Sequence, residues 1–370
     1  MAERDQHQIR RACTRFVPGH YQQTPQQTFA ALAEYSDPDL PSDFYGEGRL
    51  IEDFEAQIAD LLGKPAAAFF PSGTMAQQIA LRIWADRSGI RTIAMHPTCH
   101  LEFHEQQGYR LLHDLRGVMV GGLTKMVTLE ELKTISEPLG ALLLELPQRE
   151  MGGVLPTWDE LVAIIDWARA QQIIMHLDGE RLWECQPFYG REYAAIADLF
   201  DTVYVSFYKI LGGLAGAALA GPEDIIDQAR LWRWRHGGRL IHMSPYVLTA
   251  QMGLETRLKR IPEYHTKAVE LAEALDEFPE IEIRPNPPHT NMMKVFIRGC
   301  REHLLETALD IATEVLIWLP GLLREENLVP GCAEMELTIG DAALDIPTSE
   351  IAALYREWLD RAQQAGDSGS

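Results

Sequence analysis

Between about residues 50 and 240, short runs of apolar residues alternate with segments in which apolar residues recur at helical spacing. Leu50, Phe54 and Ile58 fall on one face of such a helix, which we expect to end at Gly63. The apolar runs predict strands over residues 66–70, 92–95, 141–145, 173–177 and 202–207. Strands that alternate with helices favour a mostly parallel sheet covered on both faces.

The pattern changes after about residue 250, where strands become fewer. It predicts helices over residues 262–277, 301–316 and 348–364, and strands over residues 281–284, 292–297 and 335–339. A chain of 370 residues exceeds the usual size of a single hydrophobic core, so we expect more than one domain. The predicted division is an N-terminal segment (1–45), a large α/β domain (46–250) and a small C-terminal α+β domain (251–365).

Two residues with reactive side chains, one carboxylate and one amine, follow predicted strands. Asp178 comes directly after the strand 173–177, and Lys209 follows the strand 202–207 and opens a glycine-rich stretch that runs to Gly216. Open α/β sheets bind ligands at the carboxyl ends of their strands, and small residues let a planar cofactor approach the backbone. Pyridoxal phosphate (PLP) needs an amine to form an imine and a buried carboxylate to keep its pyridine nitrogen protonated. Together the two residues predict PLP, although either alone is also compatible with an ordinary strand end.

Two further segments could complete such a site. Ser72, Gly73 and Thr74 lie between a predicted strand and a predicted helix, where free N–H groups and the helix dipole favour a phosphate. The same tripeptide is also typical of an ordinary N-cap turn. His100 follows the strand 92–95 and could stack on a pyridine ring or exchange protons near neutral pH. The alternative for His100 is a capping role in a loop.

Charge and cysteine content limit the classes of partner. The formal net charge of −21 argues against nucleic acid and anionic membrane surfaces, because these need clustered Lys and Arg. Five scattered cysteines without a CxxC pair are typical of reduced thiols in a cytoplasmic enzyme, and we expect no metal site. The chain has no apolar run of spanning length and no recognisable signal-peptide core, so we expect a cytoplasmic protein.

The motifs as a set resemble one family, the threonine aldolase and aromatic amino acid β-eliminating lyase group of fold-type I PLP enzymes. The resemblance covers about residues 43–240 and rests on Tyr45-Gly46-Glu47-Gly48, Phe70-Pro-Ser-Gly-Thr-Met-Ala76, His100 with Glu105, Glu145 with Gly152-Gly153, Asp178-Gly179-Glu180-Arg181, and Lys209. It implies a fold-type I, transferase-like α/β fold with PLP as cofactor.

The resemblance also implies roles for individual residues. Lys209 would carry the cofactor as a Schiff base, Asp178 would pair with the pyridine nitrogen, and His100 would stack on the ring, so these three are the implied catalytic residues. The implied cofactor-binding residues are Ser72, Gly73, Thr74, His100, Asp178, Arg181, Ser206 and Lys209. Arg181 would bind the substrate carboxylate, and Gln148 is the second candidate for substrate binding.

Departures from the family pattern leave the reaction open. Glu180 stands where the family has alanine, which places a carboxylate beside Arg181. Gln148 stands where the aldolases carry a histidine, and glutamine cannot act as a base. The N-terminal Arg-Ser-Asp-Thr segment of the family is not recognisable, and no arginine stands three residues before Thr338.

Three hypotheses for the function follow. The first is a PLP-dependent lyase that cleaves the Cα–Cβ bond of a β-hydroxy-α-amino acid to glycine and an aldehyde, with His100 as a possible base. The second is a β-eliminating lyase or amino-acid racemase that acts at Cα, and the third is a non-catalytic PLP-binding protein. By resemblance, the segment from His236 to Arg239 would reach a neighbouring subunit's phosphate, so we expect a homodimer or homotetramer with shared active sites.

Overall fold

A computed structural model describes residues 5–324 and 329–368. Residues 1–4 of the predicted N-terminal segment and 325–328 of the predicted C-terminal domain lie outside the described residues. The chain divides into a central unit, Gln27–Glu150 with Leu155–Lys259, and a terminal unit, Met1–Gln26 with Met151–Val154 and Arg260–Ser370. The compact units thus change at residues 26 and 259, whereas the sequence predicts boundaries at 45 and 250; that domain division stays a prediction.

The secondary structure is numbered in chain order. The strands are β1 (Arg15–Phe16), β2 (Ala66–Phe70), β3 (Thr92–Met95), β4 (Arg116–Met119), β5 (Ala141–Glu145), β6 (Ile174–Gly179), β7 (Thr202–Ser206), β8 (Ala217–Gly221), β9 (Ile281–Arg284), β10 (Met292–Arg298), β11 (Ile317–Trp318), β12 (Leu322–Leu323) and β13 (Cys332–Thr338).

The helices are α1 (Gln6–Ala12), α2 (Pro25–Tyr35), α3 (Arg49–Leu61), α4 (Gly73–Ser88), α5 (His100–Phe103), α6 (Gly108–His113), α7 (Leu129–Leu132), α8 (Trp158–Ala170), α9 (Gln186–Tyr189), α10 (Tyr193–Ala197), α11 (Glu223–Arg235), α12 (Ser244–Arg257), α13 (Ile261–Asp276), α14 (Arg301–Val315), α15 (Asp341–Leu344) and α16 (Thr348–Ser368). Short 3-10 turns cover Arg149–Met151, Leu182–Glu184 and Leu258–Arg260. Within residues 5–324 and 329–368, none of the helices combines the length and the apolar composition needed to cross a bilayer.

The central unit is built on a seven-stranded sheet in the order β2-β8-β7-β6-β5-β3-β4. Neighbouring strands pair in parallel, except that β8 runs antiparallel to both β2 and β7. This mostly parallel sheet confirms the predicted fold class. The register places Glu145 beside Asp178 and Asp178 beside Tyr204, so side chains from three adjacent strands meet near one edge.

Burial of apolar side chains holds helices against this sheet. Ile79 of α4 and Ile225 of α11 share one buried cluster with Phe70, Tyr204 and Leu219 from three strands. Each such side chain stabilises the fold by about 1.5–3 kcal/mol when it leaves water. At the beginning of α8, Thr157 and Glu160 form a reciprocal capping box that satisfies free N–H groups of the first turn.

Strand β7 and the antiparallel strand β8 form a hairpin whose loop carries Lys209. The two strands pair from Val203 opposite Ala220 to Ser206 opposite Ala217. At the base of the loop, the Phe207 N–H donates to the Gly216 carbonyl at 3.1 Å. The lysine is therefore carried on a loop that is closed by hydrogen bonds.

The terminal unit contains an antiparallel sheet in the order β12-β13-β10-β9, together with α13, α14 and α16. Strands β9, β10 and β13 correspond to the three strands predicted from the sequence, with ends that differ by up to three residues. The start of the chain joins this unit through β1, which pairs in parallel with β11.

Candidate functional site

The carboxyl ends of the central strands bring the predicted site residues to one edge of the sheet. Asp178 lies at the end of β6, Lys209 follows β7, and Ser72 follows β2. His100 begins α5, shortly after β3, and Glu145 ends β5. All of these residues belong to the central unit. Parallel strands end on the same side of a sheet, so this arrangement follows directly from the topology.

Lys209 forms an ion pair with Glu180, whose carboxylate oxygen Oε1 lies 2.6 Å from Nζ. Glu180 is buried, and its backbone is held on both sides. Its N–H donates to Asp178 Oδ1 at 3.2 Å, and its carbonyl accepts from the Ser206 hydroxyl at 2.6 Å. Burial alone would raise the pKa of Glu180, but the charges of Lys209 and Arg181 outweigh it and lower that pKa. Glu180 is therefore held as a carboxylate against the lysine.

Asp178 is fully buried, and its two carboxyl oxygens differ. Oδ1 accepts from the Glu180 N–H, whereas Oδ2 has no hydrogen-bond partner among the described residues. Burial, followed by the negative charge of Glu180, raises the pKa of Asp178 to about 7, although the nearby His100 opposes the shift. A buried polar atom without a partner is rare in a native fold. Oδ2 fits the N–H of a protonated pyridine ring, which would also favour the ionised carboxylate.

His100 is oriented by a buried carboxylate. Its Nδ1 lies 2.9 Å from Glu105 Oε1, and the other oxygen of Glu105 accepts from Gln78 Nε2 at 2.7 Å. Burial lowers the pKa of His100, but the hydrogen bond to Glu105 and the charges of Asp178 and Glu180 outweigh it and raise the pKa to about 9. The imidazole is therefore mainly protonated at neutral pH.

The segment Ser72–Thr74 forms the N-terminus of α4. Ser72 is the N-cap, and its Oγ accepts from the Met75 N–H at 3.4 Å. The first N–H groups of a helix have no intrahelical partner, so the exposed Thr74 lies where an anion would be favoured. Gly73 is required by packing, because a Cβ at this position would collide with the Tyr204 hydroxyl.

The two candidates for substrate binding already have protein partners. The Gln148 amide is buried and donates from Nε2 to Thr98 Oγ1 at 3.2 Å and to Glu145 Oε2 at 3.3 Å. Burial and the charge of Asp178 raise the pKa of Glu145 well above its usual range. Arg181 donates from Nη1 to Glu184 Oε1 at 2.9 Å. Substrate contacts by Gln148 and Arg181 stay predictions, as do the cofactor contacts of Ser206, whose hydroxyl holds Glu180.

The sequence did not single out two residues of this site. Tyr204 is buried beneath the first turn of α4, and its signal in the sequence was its place in the apolar run of β7, every residue of which is buried. Glu184 pairs with Arg181, and its signal was the spacing of three residues, which places two side chains on one face of a helical turn.

Comparison with known protein families shows to which family the chain belongs. A model of the β-eliminating lyase family matches residues 29–299. The chain belongs to this family. The match confirms the predicted resemblance and identifies the chain as an enzyme of the lyase type. Its boundaries span the whole sheet of the central unit, and therefore include every residue of the candidate site.

Individual members of the β-eliminating lyase family and related structures are also similar to this chain. The structure of a candidate L-allo-threonine aldolase from Listeria monocytogenes matches with a TM-score of 0.91 and 38% identity, covering 96% of this chain and 99% of that one. This similarity confirms the fold-type I architecture.

Two curated relatives match over shorter stretches. Aldolase vrtJ from Penicillium aethiopicum is 31% identical over 242 residues, which are 62% of this chain and 60% of that protein, so the chain spans about three-fifths of its length. Low-specificity L-threonine aldolase 1 from Arabidopsis thaliana is 25% identical over 267 residues, which are 69% of this chain and 74% of that protein.

Proposed function

We propose that this protein is a PLP-dependent lyase that cleaves the Cα–Cβ bond of a β-hydroxy-α-amino acid to give glycine and an aldehyde. The observation that carries the proposal is the unpartnered Asp178 Oδ2, buried at the end of β6 on the edge where Lys209 lies. The aldolase names of the similar proteins from Listeria, Penicillium and Arabidopsis support this reaction over others of the family.

The residues present fit three functional groups of PLP: its aldehyde, its pyridine nitrogen and its phosphate. Lys209 offers the amine, Asp178 Oδ2 accepts the pyridine N–H, and the N-terminus of α4 at Gly73 offers free N–H groups to the phosphate. PLP, when bound, supplies an electron sink for the bond that breaks at Cα. Asp178 keeps the proton on the pyridine nitrogen, since a neighbouring carboxylate favours the charged form of that nitrogen.

His100 is the proposed base for the β-hydroxyl proton. Cleavage of the Cα–Cβ bond requires that this proton be removed, and a residue accepts it only in its deprotonated form. Because the pKa of His100 is raised to about 9, the fraction of neutral imidazole increases as the pH rises toward that value. We therefore expect kcat/KM to increase with pH up to about 9.

Replacing Glu105 with glutamine should move this pH dependence. The substitution Glu105→Gln removes the charged hydrogen-bond partner that raises the pKa of His100 most, while the charges of Asp178 and Glu180 remain. The rise in kcat/KM should therefore shift to lower pH by about 1 unit. The measurement is a pH profile of glycine formation. Glu102→Gln is the matched control, because Glu102 lies in α5 with His100 but accepts from Tyr109 at 2.6 Å and from Gln107 at 2.8 Å. If the pH profile of Glu105→Gln were identical to that of the wild-type protein, His100 would not be the group that transfers the proton.

Product analysis tests the reaction itself. With PLP and L-threonine or L-allo-threonine, we expect equal amounts of glycine and acetaldehyde. A keto acid and ammonia would instead indicate β-elimination, and the enantiomer of the substrate would indicate racemisation. A cofactor absorbance that no amino acid changes would favour the non-catalytic alternative. Gln148 favours testing elimination and racemisation as alternatives, because glutamine supplies no base at the position where aldolases carry a histidine.

We also propose that the enzyme is a cytoplasmic homodimer or homotetramer with shared active sites. Exposed aromatic side chains on the central unit support an interface, since Phe44 is 62% and Trp234 59% exposed. Arg239, the residue expected to reach a neighbouring phosphate, lies beside them. Its guanidinium packs over Trp234 at 4.2 Å and pairs with Glu47 at 2.6 Å.

A further inference from the structure

Glu180, which stands where the resembling family pattern has alanine, lies in contact with Lys209. The two side chains are 2.6 Å apart, and the Glu180 side chain is 5% exposed while that of Lys209 is 25% exposed. Hydrogen bonds to Asp178 and Ser206 fix the backbone of Glu180. A buried carboxylate on a hydrogen-bonded backbone therefore lies against the amine that must react with PLP.

We propose that Glu180 is a catalytic residue that accepts and returns a proton at Lys209 Nζ while the lysine forms and breaks its bond to PLP. This inference rests on the proposed function, since it assumes PLP as the cofactor. An ammonium group has no lone pair and cannot attack a carbonyl carbon. Glu180 is placed to take the first proton from Nζ, because its Oε1 lies 2.6 Å from that nitrogen in an ion pair.

The proposed step balances in atoms and charge. Glu180 takes one proton from the Lys209 ammonium, and the nitrogen lone pair then attacks the aldehyde carbon of PLP. The aldehyde oxygen leaves as water with the two protons that remained on the nitrogen, while carbon and nitrogen form a double bond. Glu180 then returns its proton to this nitrogen. The site begins and ends with a cation beside a carboxylate, so no net charge is created where burial makes charge costly.

The surroundings of Glu180 keep it ionised, which is the form that can accept a proton. Lys209 and Arg181 lower the pKa of Glu180 against the effect of burial, so it is a carboxylate at neutral pH. Asp178 is a poorer acceptor for this purpose, because its free oxygen fits the pyridine nitrogen. The titratable and charged groups that act on Glu180 or on this ion pair are His100, Glu145, Asp178, Arg181, Glu184, Tyr204, Tyr208 and Lys209.

The test measures PLP capture rather than turnover. The full chain, freed of cofactor, is mixed with PLP, and the visible absorbance change is followed together with the fraction that borohydride fixes to the protein. Glu180→Gln keeps the shape of the side chain but cannot take the proton. General acid–base catalysis contributes about 100-fold or more, so we expect capture by this variant to be about 100-fold slower at neutral pH. Glu180→Ala should be equally slow and should recover as formate, a small carboxylate, is added.

The matched control is Glu55→Gln. Glu55 is also a largely buried carboxylate of the central unit, but it pairs with Arg230 at 2.7 Å, so this variant should capture PLP at the wild-type rate. Capture by Glu180→Gln at the wild-type rate would overturn the inference and leave the proposed function intact. Slow capture that formate does not restore would also overturn it, because it would assign Glu180 a positioning role alone. A wild-type chain that captures no PLP would refute the proposed cofactor itself.

Discussion

Asp178→Asn is expected to reduce kcat about 1000-fold while PLP remains bound. Asparagine keeps the size of the side chain but removes the charge that holds a proton on the pyridine nitrogen. A charge pair about 4 Å apart at an effective dielectric of about 20 is worth about 4 kcal/mol. Since about 1.4 kcal/mol corresponds to a tenfold change in rate, the expected loss is about three orders of magnitude. Glycine formation at saturating substrate gives kcat, and the cofactor absorbance gives the retained PLP.

Asp201→Asn is the control for this experiment. Asp201 is another aspartate of the central sheet region, directly before β7, and its Oδ2 accepts from the Met175 N–H at 2.7 Å in a partly buried hydrogen bond. Asparagine can still accept that hydrogen bond, so kcat should change less than about twofold, as for most substitutions of this kind. Normal turnover in Asp178→Asn would contradict the role of Asp178, whereas loss of PLP would mean that the carboxylate mainly binds the cofactor.

Lys209→Ala is expected to abolish the covalent attachment of PLP and to lower kcat at least about 1000-fold. Alanine offers no amine, so borohydride should fix no cofactor to the variant, and the visible band of lysine-bound PLP should be lost. In the wild-type protein, mass spectrometry after reduction should find the added mass on the peptide that contains Lys209.

Lys64→Ala is the matched control for lysine specificity. Lys64 lies in the central unit and donates from Nζ to the Phe200 carbonyl at 2.6 Å, so its removal should leave the band and the fixed cofactor unchanged. Cofactor that borohydride still fixes to Lys209→Ala to the wild-type extent would show that another amine carries PLP, and the assignment of Lys209 would be wrong.

The hydrophobic pattern was sufficient for five strands of the central sheet, but it predicted neither the edge strand β4 nor the antiparallel strand β8. Strands β2, β3 and β5 have the predicted limits, because each is a compact apolar run between turn residues. Strand β8 was not predicted, since Ala217–Gly221 contains only alanine, leucine and glycine, and alanine favours helices. Its strand conformation comes from pairing with β2 and β7 on both sides, and a local pattern cannot report such long-range pairing.

The sequence predicted most of the residues that form the candidate site, but it did not predict their charge interactions or their pKa values. Lys209 and Asp178 were identifiable because a strand end is visible in the sequence. Glu180 was visible only as a departure from the family pattern. That it contacts the lysine depends on how β6 and β7 pair, which sets the distance between their loops. The raised pKa of His100 likewise depends on burial and on carboxylates from separate elements.

The closed hairpin that carries Lys209 has a consequence for motion. Strand β7 is bonded to β6 on one side and to β8 on the other, and β8 is bonded in turn to β2. Backbone amides in such a ladder exchange with solvent only through the largest opening events of a protein, since several rows of hydrogen bonds must break at once. The hairpin that holds the reactive amine is therefore among the slowest-opening parts of the fold. Fraying of peripheral helices leaves Lys209 in position.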